Sequence, residues 1–310
     1  MIKYNTNSLF YALTSKYLFD TMKLRMRYTY KQFKAEYPDD DACLEAVFQN
    51  RFGDLKFCPK CAVVGTKFYR VKKRQCYACM HCGYQLHPLA GTIFRKSSTP
   101  LTNWFHAIYL FSVAKNGVSA KELERHLGVT YKTAWRMAKQ IRLLMAQDAE
   151  KLTGVVEADE TYVGGYKRGG KGFREKTPVL GAVEKNGQAK AEVTDWASAT
   201  TARSFLQANI EPDTHLHTDD NRIYWWAKKQ FKHGIVNHSE GYYVQEGVST
   251  NTIEGLWSQM KRSIDGTYHV VSPKYLQHYV DEFVFRYNYR DVAVCPVLLE
   301  RAGTLSARDA

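Results

Sequence analysis

The segment TNTIEGLWSQMKR, residues 250–262, places an acid, Glu254, seven residues before a cation, Lys261. Seven residues are about two turns at 3.6 residues per turn, so on a helix both side chains share a face. Trp257 and Met260 fall near that face and can root it in a core. By itself such a pair reads as a solvated helix surface. Two further acids change its meaning. VVEADETYV, residues 155–163, reads as a strand with Asp159 inside it. A carboxylate in a central strand is costly unless it is paired or metal-bound. DTHLHTDD reads as a second strand ending at Thr218 and Asp219, and 35 residues separate Asp219 from Glu254. Three acids beside a cation suit a site that holds divalent ions and a phosphodiester together.

A second constellation is built from sulfur. Cys58 and Cys61 form one C-x2-C knuckle, and Cys79 and Cys82 form another 18 residues on. Two knuckles joined by basic, strand-like sequence describe a zinc ribbon, in which four thiolates meet one Zn²⁺ tetrahedrally. Cys76 with Cys79 is an alternative second pair. The Cys-Gly ending at Cys82 and Gly83 favours Cys79 and Cys82. His81 and His87 then read as surface residues. Lys67, Arg70, Lys72, Lys73 and Arg74 crowd the middle of the ribbon and suit DNA contact.

The elements that must position these groups follow from composition and period. The chain has 310 residues, 45% of them hydrophobic and 14% aromatic, enough for two or three modest domains with real cores. Its 44 Lys and Arg outnumber its 31 Asp and Glu, for a net charge of +13. That excess points to a polyanionic partner. No apolar run approaches the roughly 20 residues that span a bilayer. The opening MIKYNTNSLFYALTSKYLF lacks a signal-peptide pattern, and Met22 or Met26 is an alternative start. Seven cysteines without an export signal point to metal-ligating thiols in a reducing, cytoplasmic setting.

DDDACLEAVFQNRF, residues 39–52, reads as a short packing helix. LTNWFHAIYLFSVAKNG reads as a helix ending at Gly117, and SAKELERHLG as a second with Ser119 and Glu122 in capping-box register. Thr130 then caps a third helix, YKTAWRMAKQIRLLMAQ. A helix, a glycine turn and a further helix make a helix-turn-helix. Its second helix presents Lys132, Thr133, Arg136 and Lys139 to phosphates or base edges. From Thr153 strands take over. A glycine-rich basic loop runs from Gly165 to Lys176, and a hairpin turns at Asn186-Gly187. TARSFLQANI reads as a helix, and NRIYWWAKKQF as another with aromatics in the core. HGIVNHSEGYYV reads as a short strand and loop, with His215, His217 and His238 as ordinary polar residues. SPKYLQHYVDEFVFRYNYRD reads as the last amphipathic helix.

Strand, strand, strand, helix, strand, helix, helix is the layout of a ribonuclease H-like fold, with acids in its first strand, at the end of its fourth and on a later helix. Asp159, Asp219 and Glu254 occupy those places. Here the chain resembles bacterial insertion-sequence transposases of the 1595 family, over roughly residues 36–290. The resemblance rests on FCPKC with CMHC, GTIFRKSSTPLTNWFHAIYLF, GVSAKELERHLGVTYKTAWRM, VEADETYVGG, HTDD, VNHSEGYYVQEGVSTNTIEGLWSQMKR and EFVFRYN. It implies an α/β (α+β) multidomain chain: a zinc ribbon and helix-turn-helix followed by a ribonuclease H-like DDE core. The boundaries would be an N-terminal arm at 1–35, a short helix at 36–54, the ribbon at 55–95, the DNA-binding helices at 100–148, the catalytic core at 150–290 and a tail at 291–310. It further implies that Asp159, Asp219 and Glu254 hold two Mg²⁺ (Mn²⁺ in their place) for cleavage of transposon ends and joining to target DNA. Lys261 would contact the DNA end, and Asn251 would share or replace the role of Glu254. Asp220, beside Asp219, takes the less favoured place. The implied partners are double-stranded DNA and further copies of the chain, without a membrane. A DNA-binding regulator with an inert core and a nuclease that cuts without joining are the competing readings.

Overall fold

The computed structural model describes residues 28–164, 176–236, 244–245 and 248–304. The first 27 residues of the expected arm, most of the glycine-rich loop, His238 and the last six residues lie outside the described residues. The chain forms two compact units. One comprises Met1–Ala114, Ala120–Leu144 and Tyr289–Ala310, and the other Lys115–Ser119 and Met145–Asn288.

In the first unit, helix α1 (Tyr30–Glu36) opens with a capping box between Thr29 and Gln32. Helix α2 (Asp40–Phe52) follows, capped by Asp39, whose carboxylate accepts from the Ala42 N–H at 2.8 Å. Strands β1 (Phe68–Arg70), β2 (Tyr77–Cys79) and β3 (Gln85–Leu86) form an antiparallel sheet in that order. Phe48 of α2 stacks on Tyr77 of β2 at 3.8 Å between ring centroids, and Tyr77 donates to Glu45 at 2.6 Å, fixing helix to ribbon. Helix α3 (Leu101–Val113) buries Trp104, Phe105, Ile108 and Phe111. It stops at extended Ala114, short of the expected Gly117, which lies in the other unit at φ +91°. A Cβ at Gly117 would collide with the Tyr268 hydroxyl.

Helices α4 (Ala120–Leu127) and α5 (Tyr131–Leu143) pack together and against α3. Gly128, at φ +63°, makes the turn between them. Leu123 is the one fully buried residue of α4, while Ala134, Met137, Ala138 and Ile141 face inward from α5. Residues expected as a tail instead contain helix α9 (Val294–Thr304), which packs on α2 and α3. Its Val297, Leu298 and Ala302 recur at helical spacing and are buried, which is why this segment folds.

The second unit is a five-stranded sheet with helices on both faces. Its strands are β4 (Val155–Val163), β5 (Thr177–Glu184), β6 (Ala189–Val193), β7 (His215–Asp219) and β8 (Lys232–Val236), in the order β6-β5-β4-β7-β8. The first three form an antiparallel meander, with Asn186 at φ +66° in the β5–β6 turn, and β7 and β8 join in parallel. Helix α6 (Ala199–Asn209) and the 3-10 helix Arg222–Lys229 cover one face, where Val156, Ala158, Phe205, Leu216 and Tyr224 share a core. Strands β9 (Val244–Gln245) and β10 (Val248–Ser249) form a separate hairpin. Helices α7 (Asn251–Ser263) and α8 (Leu276–Asn288) cover the other face, burying Ile253, Trp257, Met260 and Val280 against Val163, Val179 and Val183. Trp257 lies so close to Gly181 that a Cβ there has no room. Gly181 is the β5 partner of Asp159, so this close approach seats α7 beside the acid.

The free edge of β6 is closed by side-chain amides. Asn288 bonds both N–H and C=O of Ala189 at 2.7 and 3.0 Å, and Gln147 does the same for Ala191 at 2.9 and 2.6 Å. Gln277 accepts from the Val193 N–H at 2.8 Å. Half-buried Asp281 accepts from both glutamines and so orients them.

Candidate active site and zinc centre

The zinc centre follows from two matching turns. In each knuckle the residue after the second cysteine adopts positive φ, Ala62 at 56° and Gly83 at 69°. Its N–H returns to the carbonyl of the first cysteine, at 2.9 Å in both cases. The two turns bring Cys58, Cys61, Cys79 and Cys82 together with all four sulfurs within 4.8 Å of one another. Among the described residues this is the one group of possible metal ligands so compact. Its all-sulfur donor set fits a structural zinc ion. The Thr66 hydroxyl at 3.4 Å and the N–H groups of Cys82 and His81 hold the Cys79 thiol down to about 6, favouring the thiolate that a metal needs. Cys76 stands outside the cluster, buried with its sulfur 3.6 Å from Gln85 Oε1.

The acids gather on the central strands. Asp159 lies in the middle of β4 on the side facing α7, and Glu160 on the side facing Tyr224. The β4–β7 pairing starts at Val155 with His215, and each acid stands four residues further along its own chain, Asp159 on β4 and Asp219 at the end of β7. Glu254 sits in the first turn of α7, exposed, with its Oε1 accepting from the Thr250 hydroxyl at 2.9 Å. Burial, and then the charges of Glu160, Asp219 and Glu254, push the Asp159 carboxyl up to about 7. The three expected acids therefore interact through their charges, not as a cluster as tight as that of the cysteines. Asn251 and Lys261 are exposed on α7, and Asp220 is exposed after β7. His215 is exposed and His217 half-buried, the latter accepting from the Ser249 N–H at 3.4 Å.

Two acids that the sequence reading passed over lie on the same strand. Glu157 is 1% exposed and accepts four hydrogen bonds from Ser249, Thr252 and Ile253. Glu160 accepts from Asn221 Nδ2 at 2.6 Å and from the Tyr224 hydroxyl at 2.9 Å. The cost of a carboxylate in a central strand, applied to Asp159, would have flagged both.

The basic residues divide. On α5, Lys132 is exposed, Lys139 half-buried, and Thr133 shares a hydroxyl contact with the capping Thr130 at 3.1 Å. Arg136 donates to the Arg95 carbonyl at 2.8 Å. Lys72, Lys73 and Arg74 are exposed at the ribbon's hairpin tip, whereas Arg70 pairs with Asp41 at 2.8 Å. Arg74, His87, Arg95 and Lys96 line an open cleft of about 520 Å³ without an acidic side chain. No helix among the described residues is long and apolar enough to cross a membrane.

Comparison with known proteins agrees with this layout. Residues 38–85 match the transposase zinc-ribbon domain, and residues 151–288 match the ISXO2-like transposase domain. The chain is 29% identical over 264 residues to a protein of Halobacterium salinarum described as an uncharacterized protein in transposable element ISH50. That match covers 77% of this chain and 87% of the relative. With both domains present and in this order, the chain is similar to the insertion-sequence transposases of the 1595 family over its zinc ribbon and its transposase domain alike.

Proposed function

We propose that the chain is a cytoplasmic DNA transposase that binds the ends of its insertion sequence, cleaves them by metal-assisted hydrolysis and joins the 3′ ends to target DNA as a homo-oligomer. The observation that carries this reading is geometric: Asp159 on β4 and Asp219 on the adjoining β7 stand at matching places along paired strands, and the close approach of Trp257 to Gly181 seats α7, which carries Glu254, beside Asp159. An acid cluster whose charges oppose one another is completed by hard cations, and its oxygen donors fit Mg²⁺. Bound between Asp159, Asp219 and Glu254, two Mg²⁺ would polarise the scissile phosphate and favour the deprotonated attacking oxygen. Asp159 would give up its proton on loading. Thr250 would keep Glu254 turned toward its own helix start, and Lys261, two turns on, would hold a DNA phosphate. The attacking oxygen comes from water and then from the DNA 3′-hydroxyl, so no side chain needs to act as nucleophile.

The meander followed by two parallel strands, with acids in the first strand and at the end of the fourth, supports a ribonuclease H-like core. The Gly128 turn between α4 and α5 supports a helix-turn-helix. Lys132 and Lys139 would then meet DNA along α5. Arg136, tied to Arg95, would link that helix to the basic cleft and the tip residues Lys72, Lys73 and Arg74 as one phosphate track.

The test incubates the full chain with the element's own ends and Mg²⁺ and scores nicking and joining. The Asp159→Asn chain is expected to bind ends normally and to lose about two orders of magnitude or more in cleavage, since each 1.36 kcal/mol of lost transition-state stabilisation is about tenfold. Near-normal cleavage by that variant overturns the assignment. End binding without cleavage by the parent chain would mark a regulator, and cleavage without joining a nuclease.

A further inference from the structure

We infer that Glu157 and Glu160, which flank Asp159 on β4, are positioning residues: Glu157 fixes the helix that carries Glu254, and Glu160 fixes the turn that follows Asp219. The inference rests on the proposed roles of those three acids.

Glu157 does for α7 what a capping residue normally does. The first N–H groups of a helix lack intrahelical acceptors. Thr250, at the N-cap position, makes no side-chain cap bond. Instead Glu157 Oε2 accepts from the Thr252 and Ile253 N–H groups at 2.7 and 3.0 Å. Its Oε1 accepts from the Ser249 and Thr252 hydroxyls, both at 3.0 Å. A carboxylate at a helix N-terminus also meets the positive end of the dipole. With capping taken over by the strand, the Thr250 hydroxyl is left to donate to Glu254 at 2.9 Å. The third acid is thus located by a chain of bonds that starts two residues from the first. All four acceptor positions of Glu157 are occupied, so it is an anchor and not a metal ligand.

Glu160 works on the opposite face. Its Oε1 accepts from Asn221 Nδ2, and Oε2 from Tyr224. The Asn221 N–H donates to Asp219 Oδ1 at 3.1 Å, while Asn221 Oδ1 accepts from the Ile223 N–H at 3.2 Å and starts the 3-10 helix. Asn221 therefore couples Glu160 to the second acid. One strand holds the central acid and, through its two neighbours, sets the other two.

The experiment compares full chains carrying Glu157→Gln, Glu160→Gln, Glu254→Gln and the double change Glu157→Gln with Glu254→Gln. Thr252→Val and Ser249→Ala serve as milder variants that each remove one donor to Glu157 and keep the backbone, should Glu157→Gln fail to fold. Three quantities are read: the Mg²⁺ concentration giving the half-maximal thermal shift without DNA, end binding, and the Mg²⁺ dependence of cleavage. Residues that orient metal ligands typically change metal affinity about 10- to 100-fold. Glu157→Gln and Glu160→Gln should each raise the Mg²⁺ requirement at least about tenfold and leave end binding unchanged. In the Glu254→Gln background, Glu157→Gln should add little, because its effect runs through Glu254. An unchanged Mg²⁺ requirement, or full additivity in the double variant, overturns the positioning role. Asp159→Asn separates the two levels. If it abolishes the Mg²⁺ shift while Glu157→Gln does not alter it, only the positioning role fails. If it leaves the shift intact, the catalytic reading fails and the positioning role with it.

Discussion

In the proposed reading the chemistry turns on Asp159, and its titration has a definite sign. Its carboxyl moves from the usual 3.8 up to about 7, first through burial and then through the neighbouring acids. A carboxyl whose folded pKa lies above its unfolded one favours the fold while protonated. Its contribution is whole below about pH 4 and is lost as pH rises toward about 7, a difference of at most about 4 kcal/mol. A divalent ion that takes the place of the proton offsets that loss. The Mg²⁺-induced thermal shift should therefore be small near pH 5.5 and grow to pH 8, about a midpoint near 7. Differential scanning fluorimetry with and without Mg²⁺ across that range reads it directly, and a shift independent of pH would contradict it. Asp159 stands out in the sequence because an acid inside an apolar strand needs a reason. Glu157 and Glu160 have the same anomaly, but their partners were not legible: the donors to Glu157 stand 92 to 96 residues later and meet it only once α7 lies on the sheet.

At the scale of elements, periodicity located most strands and helices and missed what depends on tertiary contact. NRIYWWAKKQF was expected as a helix with buried aromatics. It is a 3-10 helix, at about three residues per turn, so Arg222, Trp225 and Lys228 form an exposed ridge while Tyr224 and Ala227 face the core. The protection of β6 was likewise invisible, because nothing in the type or spacing of Gln147, Gln277 and Asn288 marks them as partners of a strand edge. Edge strands invite pairing with other chains unless they are covered. Here three amides satisfy alternate residues of the edge, Ala189, Ala191 and Val193. Asn288→Ala or Gln147→Ala leaves backbone groups of a buried alanine without partners, which costs about 1–3 kcal/mol. Each variant should melt at lower temperature and scatter light on heating at concentrations where the parent stays clear. Unchanged melting in both would mean that water replaces the amides without loss.

At the scale of the molecule, the division into two compact units bears on how metal and stability are linked. The ribbon strands are three, three and two residues long. Strands so short do not hold a sheet by themselves, and their anchorage comes from the cysteine cluster and from Phe48 and Glu45 on Tyr77. The second unit draws its stability from apolar cores on both faces of its sheet, without sulfur ligands. The cysteine spacing made the first half of this legible in the sequence. The return of α9 to the first unit was not, because the Asn50 amide meets the Glu300 carbonyl across 250 residues. A chelator selective for zinc should therefore weaken an early unfolding transition and abolish end binding, while the second unit keeps its sheet and its Mg²⁺ response. Calorimetry and circular dichroism on the full chain, before and after chelation and after zinc is restored, measure both effects. One transition that zinc does not move would mean that the ribbon folds without its metal and that the four sulfurs serve another purpose.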